Sequence, residues 1–190
     1  MVRQGSVIYN PYNQEQFTFL QTHASTGGAY LQIAAVVGPG GETACGAHRH
    51  RHPLQEEKFI VHSGSLWMQS GNTARLYHAG DQVVIPPGTA HAWRNGSHTE
   101  PLHFTYEIAP AMQWESILET LWSLSQKGAF NRRGIPCFLQ LAATLHRYPD
   151  HCYMAGVPVT LQKWAFRMLA LLAKWLGYRP FHKYRGVGGL

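Results

Sequence analysis

Two histidine-bearing segments, HRHPLQEEKFIVHSG at 50–64 and GDQVVIPPGTAHAWRN at 80–95, hold the residue types best suited to chemistry. The first reads His50-x-His52-x4-Glu57-x6-Gly64. Residues i and i+2 of a strand share a face, so His50 and His52 can offer two imidazoles to one point. Glu57 follows a short turn at Pro53 and can add a carboxylate oxygen, and Gly64 permits the next tight turn. The second reads Gly80-x5-Pro86-x-Gly88-x2-His91-x3-Asn95, in which the Pro/Gly pair suits a turn returning the chain to a strand that begins near His91. Three neutral imidazoles and one carboxylate leave coordination positions open on a six-coordinate ion. That mixed N/O set favours Fe, Mn, Co, Ni, Cu or Zn over Mg or Ca.

Taken jointly, the two segments resemble the two signature motifs of the cupin superfamily position for position, separated by the short stretch 65–79. The resemblance implies an all-β core, a double-stranded β-helix (jelly-roll barrel), with one divalent transition metal per chain near its centre. His50, His52, Glu57 and His91 would be its ligands, and Gly64, Gly80, Pro86, Gly88 and Asn95 would be structural. The HxHPxQEE form of the first motif is similar to small bacterial single-domain metallocupins grouped with quercetin-dioxygenase-like proteins. This implies iron first among the metals, dioxygen chemistry, and Glu57 doubling as a catalytic base. The same site supports redox-neutral isomerisation, elimination or cyclisation, and fold and ligands do not choose between them. A non-catalytic small-molecule sensor is the third reading. It is disfavoured because the later helices do not resemble a DNA-binding domain.

Strand parity suggests what surrounds the metal. Phe59 and Val61 share the face of Glu57, and Trp93 shares that of His91. The neighbouring strand adds Leu66 and Met68, or Trp67 and Gln69, according to register. In the last strand, one face carries His103 and Glu107 and the other Leu102, Phe104, Tyr106 and Ile108. The candidate pocket is Phe59, Val61, Met68 and Trp93, with His103 and Tyr106 taken as candidates from the two faces of the last strand; its mainly apolar and aromatic lining points to a hydrophobic substrate. His48 shares the parity of His50 and can reach the cavity or sit at a solvated strand end; His62, His78 and His98 are expected at the surface.

The elements that must position these groups change character near residue 110. Strands are expected at Gln16–Gln21, Ala29–Val36, Lys58–Val61, Leu66–Gln69, Arg75–Tyr77, Gln82–Ile85, His91–Arg94 and Leu102–Ile108, broken by Gly, Pro and Asn. Beyond Pro110, apolar residues recur at helical spacing, with Trp114, Ile117, Leu118 and Leu121 on one face. Two further helices are expected, from Pro136 to His146 and from Thr160 to Leu176. The reading is a barrel over 1–110 and an α-helical C-terminal appendage over 111–190, packed on the barrel or on a partner subunit.

The last helix sets Lys163, Arg167 and Lys174 on one stripe and Trp164, Leu171, Leu172 and Trp175 elsewhere. Burial against the same barrel or in a homodimer is expected, and docking on an anionic membrane surface is the alternative. Sixteen Lys and Arg against ten Asp and Glu give a formal charge of +6. The cations, many of them after residue 126 (among them Arg132 and Arg133), form no nucleic-acid signature, so an acidic surface or protein is the better partner. Three dispersed cysteines, Cys45, Cys137 and Cys152, oppose a disulfide framework. With no apolar leader at the start, a cytoplasmic location is expected.

Overall fold

The computed structural model describes residues 1–40, 46, 48–131 and 134–185; Cys45, Arg132 and Arg133 lie outside them. Two antiparallel sheets face each other. The first has the order β1 (Val7–Asn10), β2 (Glu15–Gln21), β3 (Leu31–Val37), β10 (Leu102–Ala109), β5 (Glu56–Ser63) and β8 (Gln82–Ile85). The second runs β11 (Tyr153–Met154), β4 (His50–Arg51), β9 (His91–Asn95), β6 (Ser65–Ser70) and β7 (Thr73–His78). This is the double-stranded β-helix expected from the motifs.

The interior is written in period-two alternation. Phe17 and Phe19, Leu31 and Ile33, Phe59 and Val61, and Phe104 and Tyr106 point inward, while their sequence neighbours are half-buried or exposed. Between the sheets, the Trp93 ring meets Phe59 at 5.8 Å and Phe104 at 5.2 Å, both edge-on. Leu66 and Met68 are buried while Trp67 lies outward beneath Arg94, which settles the register left open by the sequence. Gly64 is required at its turn: φ is +77°, and a Cβ there would lie 2.4 Å from the Pro101 carbonyl oxygen.

Four helices accompany the sheets among the described residues: α1 (His23–Thr26), α2 (Trp114–Gln126), α3 (Phe138–Arg147) and α4 (Val159–Trp175). The expected C-terminal helices are present with ends shifted by a residue or two. Their packing is closer to the barrel than an appendage implies. Trp114, Leu118, Leu121 and Trp122 of α2 belong to the same apolar core as the strands, and β11 adds an edge strand beside β4, pairing Met154 with His50.

α4 departs from expectation. It packs on α3 and Tyr153 through Phe166 and Ala173, while Trp164 is 63% exposed, Leu171 62% and Trp175 81%. Those side chains are not covered by the chain's own barrel, because the helix carries a second, inner apolar face that does the packing. No helix among the described residues is long and apolar enough to cross a membrane.

Candidate metal centre

Three strands and one loop converge inside the barrel. His50 opens β4 and pairs directly with His91, the first residue of β9. His52 follows β4 by one residue, and Glu57 projects from β5 of the facing sheet. The turn between β8 and β9 is tied to the first motif, since the Gly88 N–H donates to the His52 carbonyl at 2.7 Å. All four side chains are buried, and their donor atoms lie within 4.8 Å of one another.

Each imidazole is held by its outer nitrogen. His50 Nδ1 meets the His48 carbonyl at 2.8 Å, His91 Nδ1 meets the Thr89 carbonyl at 3.0 Å, and His52 Nδ1 meets the His151 carbonyl. A carbonyl only accepts, so Nδ1 carries the proton and Nε2 offers a lone pair to the centre. His52 Nε2 lies 3.3 Å from Glu57 Oε1, and His91 Nε2 lies 2.5 Å from Oε2. His52 Nε2, His91 Nε2 and Glu57 Oε2 are buried without a hydrogen-bond partner of acceptable geometry.

Facing lone pairs in an enclosed space need a positive charge between them. Burial would raise the Glu57 carboxyl, but His52 and His91 hold it well below 4.5, so it is ionised. Burial would lower His91, yet the Glu57 carboxylate raises it above 6.5. Burial, aided by the His91 and His52 rings, pushes His50 down to about 3. A proton on His91 satisfies part of this arrangement; a divalent cation satisfies all four donors at once. The residues present therefore fit a metal ion.

Above the cluster is a cavity of ≈ 20 Å³, counted as room for water centres. His50, Glu57, Trp93 and Tyr106 line it from the barrel, Glu15 and Phe17 from β2, and Trp114, Leu118 and Trp122 of α2 close it. The Trp114 ring stands edge-on to His52 at 4.8 Å. The Tyr106 hydroxyl donates to Glu57 Oε1 at 2.7 Å.

Of the expected pocket residues, Trp93 and Tyr106 are in place. Phe59, Val61 and Met68 face inward but fill the core deeper in the barrel, and they do not border this cavity. His103 is a correction: it lies half-buried on the outer face of β10, on the side of Glu107, which accepts from Gln32 at 2.9 Å. The inner face of that strand is the apolar set Leu102, Phe104, Tyr106 and Ile108. His48, His62, His78 and His98 are exposed, and His48 contributes through its carbonyl alone.

Two contributors were not visible in the motifs. His151 is buried; its Nδ1–H points at the Pro149 carbonyl (2.9 Å), its Nε2 accepts from the Gln113 N–H (2.9 Å), and its own carbonyl holds His52. Burial lowers its pKa below 6.5, which keeps the ring neutral as this pattern requires. Glu15 is fully buried with neither carboxyl oxygen hydrogen-bonded. Burial pushes its carboxyl well above 4.5, and its cross-strand neighbour Asn10 offsets only part of that.

A carboxyl whose folded pKa is raised stabilises the fold fully below its unfolded value and loses that contribution as pH rises through the folded one. Glu15→Gln is therefore expected to match the wild type in stability below pH 4.5 and to exceed it increasingly as pH rises towards neutral. Melting temperatures across a pH series check this; parallel wild-type and variant curves would show Glu15 to be ionised in the fold.

The family profile described as "Cupin domain" matches residues 35–108, which include all four clustered donors. No curated protein matches the chain. Similar solved structures include a cupin-like protein from Thermotoga maritima, 26% identical, covering 60% of this chain and 82% of that one at a TM-score of 0.46. Another is a conserved protein with a double-stranded β-helix domain from Klebsiella pneumoniae, 23% identical, covering 58% and 83% at 0.42. A third is a cupin-superfamily sugar phosphate isomerase from Silicibacter pomeroyi, 20% identical, covering 50% of this chain and 59% of that one, also at 0.42. The two histidine motifs and the domain match fall on the same stretch of the observed double-stranded β-helix, so residues 35–108 form a cupin domain.

Proposed function

We propose that the protein is a mononuclear metal-dependent enzyme, an oxygenase acting on a small apolar or aromatic molecule, with the metal held by His50, His52, Glu57 and His91. The observation that carries this reading is the wall around the donors. Phe17, Trp93, Trp114, Leu118 and Trp122 present carbon and indole surface, and no Lys or Arg is among the lining residues, so a phosphate-bearing sugar would find no counter-charge. A bound divalent metal, iron first and Mn, Ni, Co, Cu or Zn by the same donor set, would supply an electron-pair acceptor and, if redox-active, electrons for dioxygen chemistry.

The chain's own groups have definable tasks. Tyr106 fixes the Glu57 carboxylate through Oε1, and Glu57, ionised, is placed to take a proton from an acidic substrate hydroxyl. Glu15, kept neutral by burial, offers a hydrogen bond to a polar substituent. The α2 residues exclude water. The closed cavity has room for about one water, so an organic substrate enters only when the α2 roof gives way.

One observation favours a second reading. An ionised and a protonated carboxyl border one cavity, the pairing that acid–base isomerisation or elimination uses. Oxygen dependence separates the two. Protein purified without added metal is assayed for its native ion and then offered phenolic substrates in an oxygen electrode. Turnover is expected to consume dioxygen, to stop anaerobically, and to be absent from the zinc-substituted form. Equal conversion without oxygen, or by the zinc form, transfers the assignment to redox-neutral chemistry.

A further inference from the structure

α4 carries two apolar faces, and the fold uses one. At about 100° per residue, Leu171, Trp164, Trp175, Met168, Leu161 and Leu172 fall within one sector of about 100°, and all are exposed. The buried positions Phe166 and Ala173 lie on the opposite side. Arg167 and Lys174 border the exposed stripe on one flank, and α4 holds no acidic residue. On that cationic flank opens a groove of ≈ 630 Å³ between α3 and α4, lined by His146, Arg147, Lys174 and Tyr178 above Ala143 and Ala170.

Charge decides among the candidate occupants. Six of the sixteen Lys and Arg, and none of the ten Asp and Glu, lie beyond residue 150. Up to residue 150 the charges balance at ten against ten, so the whole formal +6 belongs to the last forty residues. A second copy seated on this face would bring that cationic segment against itself. Nucleic acid would leave the two tryptophans and the leucines uncovered. An anionic bilayer meets both needs: its acyl boundary receives the stripe and its headgroups receive the flank. Trp164 and Trp175, eleven residues apart and about 16 Å along the axis, are suited to the headgroup level.

We infer that α4 docks the protein on an anionic lipid surface, with its exposed stripe in the interface and the groove beside Lys174 facing the lipid phosphates. Lys163 contributes less than the other cations because Asp150 already holds it at 2.7 Å.

The test uses the full chain with vesicles of phosphatidylcholine alone and of equal parts phosphatidylcholine and phosphatidylglycerol. Co-flotation and a blue shift of tryptophan emission are expected with the anionic vesicles, weakening at least about tenfold on the neutral ones or in high salt. Leu171→Glu should abolish flotation with circular dichroism and metal content unchanged. Arg147→Gln/Lys174→Gln should weaken it by about fivefold for each charge removed. Equal binding to neutral vesicles would overturn the electrostatic part. Absence of flotation, with a dimer in sedimentation that Leu171→Glu dissociates, would overturn the proposal and make the face a self-interface.

Discussion

The double variant His50→Ala/His91→Ala is expected to retain only background metal, and wild-type protein to carry one ion per chain. The two residues face each other across the β4–β9 pairing with ring centroids 4.3 Å apart, so the pair removes one side of the donor set. Losing a group that merely orients a ligand costs about 10–100-fold in affinity, and losing two ligands should exceed the upper figure. The barrel itself should persist, because neither imidazole belongs to the apolar cluster that joins the sheets. Elemental analysis and the melting temperature with and without added metal read the two effects separately. At a free-ion concentration a hundredfold above Kd, binding stabilises the wild type by about 2.7 kcal/mol, and the variant should show no such increment. Acidification should release metal from the wild type as the ligands take up protons. Stoichiometric metal in the double variant would overturn the ligand assignment.

How much of this centre was legible beforehand follows from what each residue leans on. His50, His52, Glu57 and His91 are set by strand parity and by turns of fixed length, which are local and can be read from spacing. Trp93 follows from parity as well. Tyr106 and His103 occupy opposite faces of β10, and its sequence does not say which face is inner; packing between β3 and β5 turns Tyr106 inward and His103 outward. Glu15 lies outside both motifs, on a strand whose place beside the site is a matter of sheet order. His151 is more distant still, ninety-nine residues from the ring it orients, and acts through its backbone. Phe59, Val61 and Met68 were read correctly as inward but not by depth, since periodicity gives a side and not a distance. The outer face of α4 shows the complementary limit: an amphipathic pattern reports that something must cover apolar surface, and not what.

Trp122→Ala is expected to be the most damaging single change outside the ligand set, costing about 3–5 kcal/mol of a domain stability that is commonly about 5–15 kcal/mol. Trp122 is 1% exposed and lies 4.7 Å from the Phe17 ring, within the core shared by α2 and the barrel. The cost combines lost transfer energy with a void that β2 and α2, both pinned elsewhere, cannot collapse to fill. Cutting the chain after residue 110 should go further. It removes the α2 roof, the β11 edge beside His50 and the His151 carbonyl that holds His52, exposing apolar barrel surface although every metal donor remains. An aggregating product is expected, and a soluble barrel with its metal would show the roof to be dispensable. Leu172→Lys provides the contrast. The sequence pattern alone suggests that a lysine there would bury an unpaired charge, but Leu172 is 43% exposed. Its ammonium can reach water, so the change should fall within about 0.5 kcal/mol of wild type. Denaturant titration of the two point variants side by side checks the pair. A Leu172→Lys loss comparable to that of Trp122→Ala would place the α4 stripe inside a protein interface.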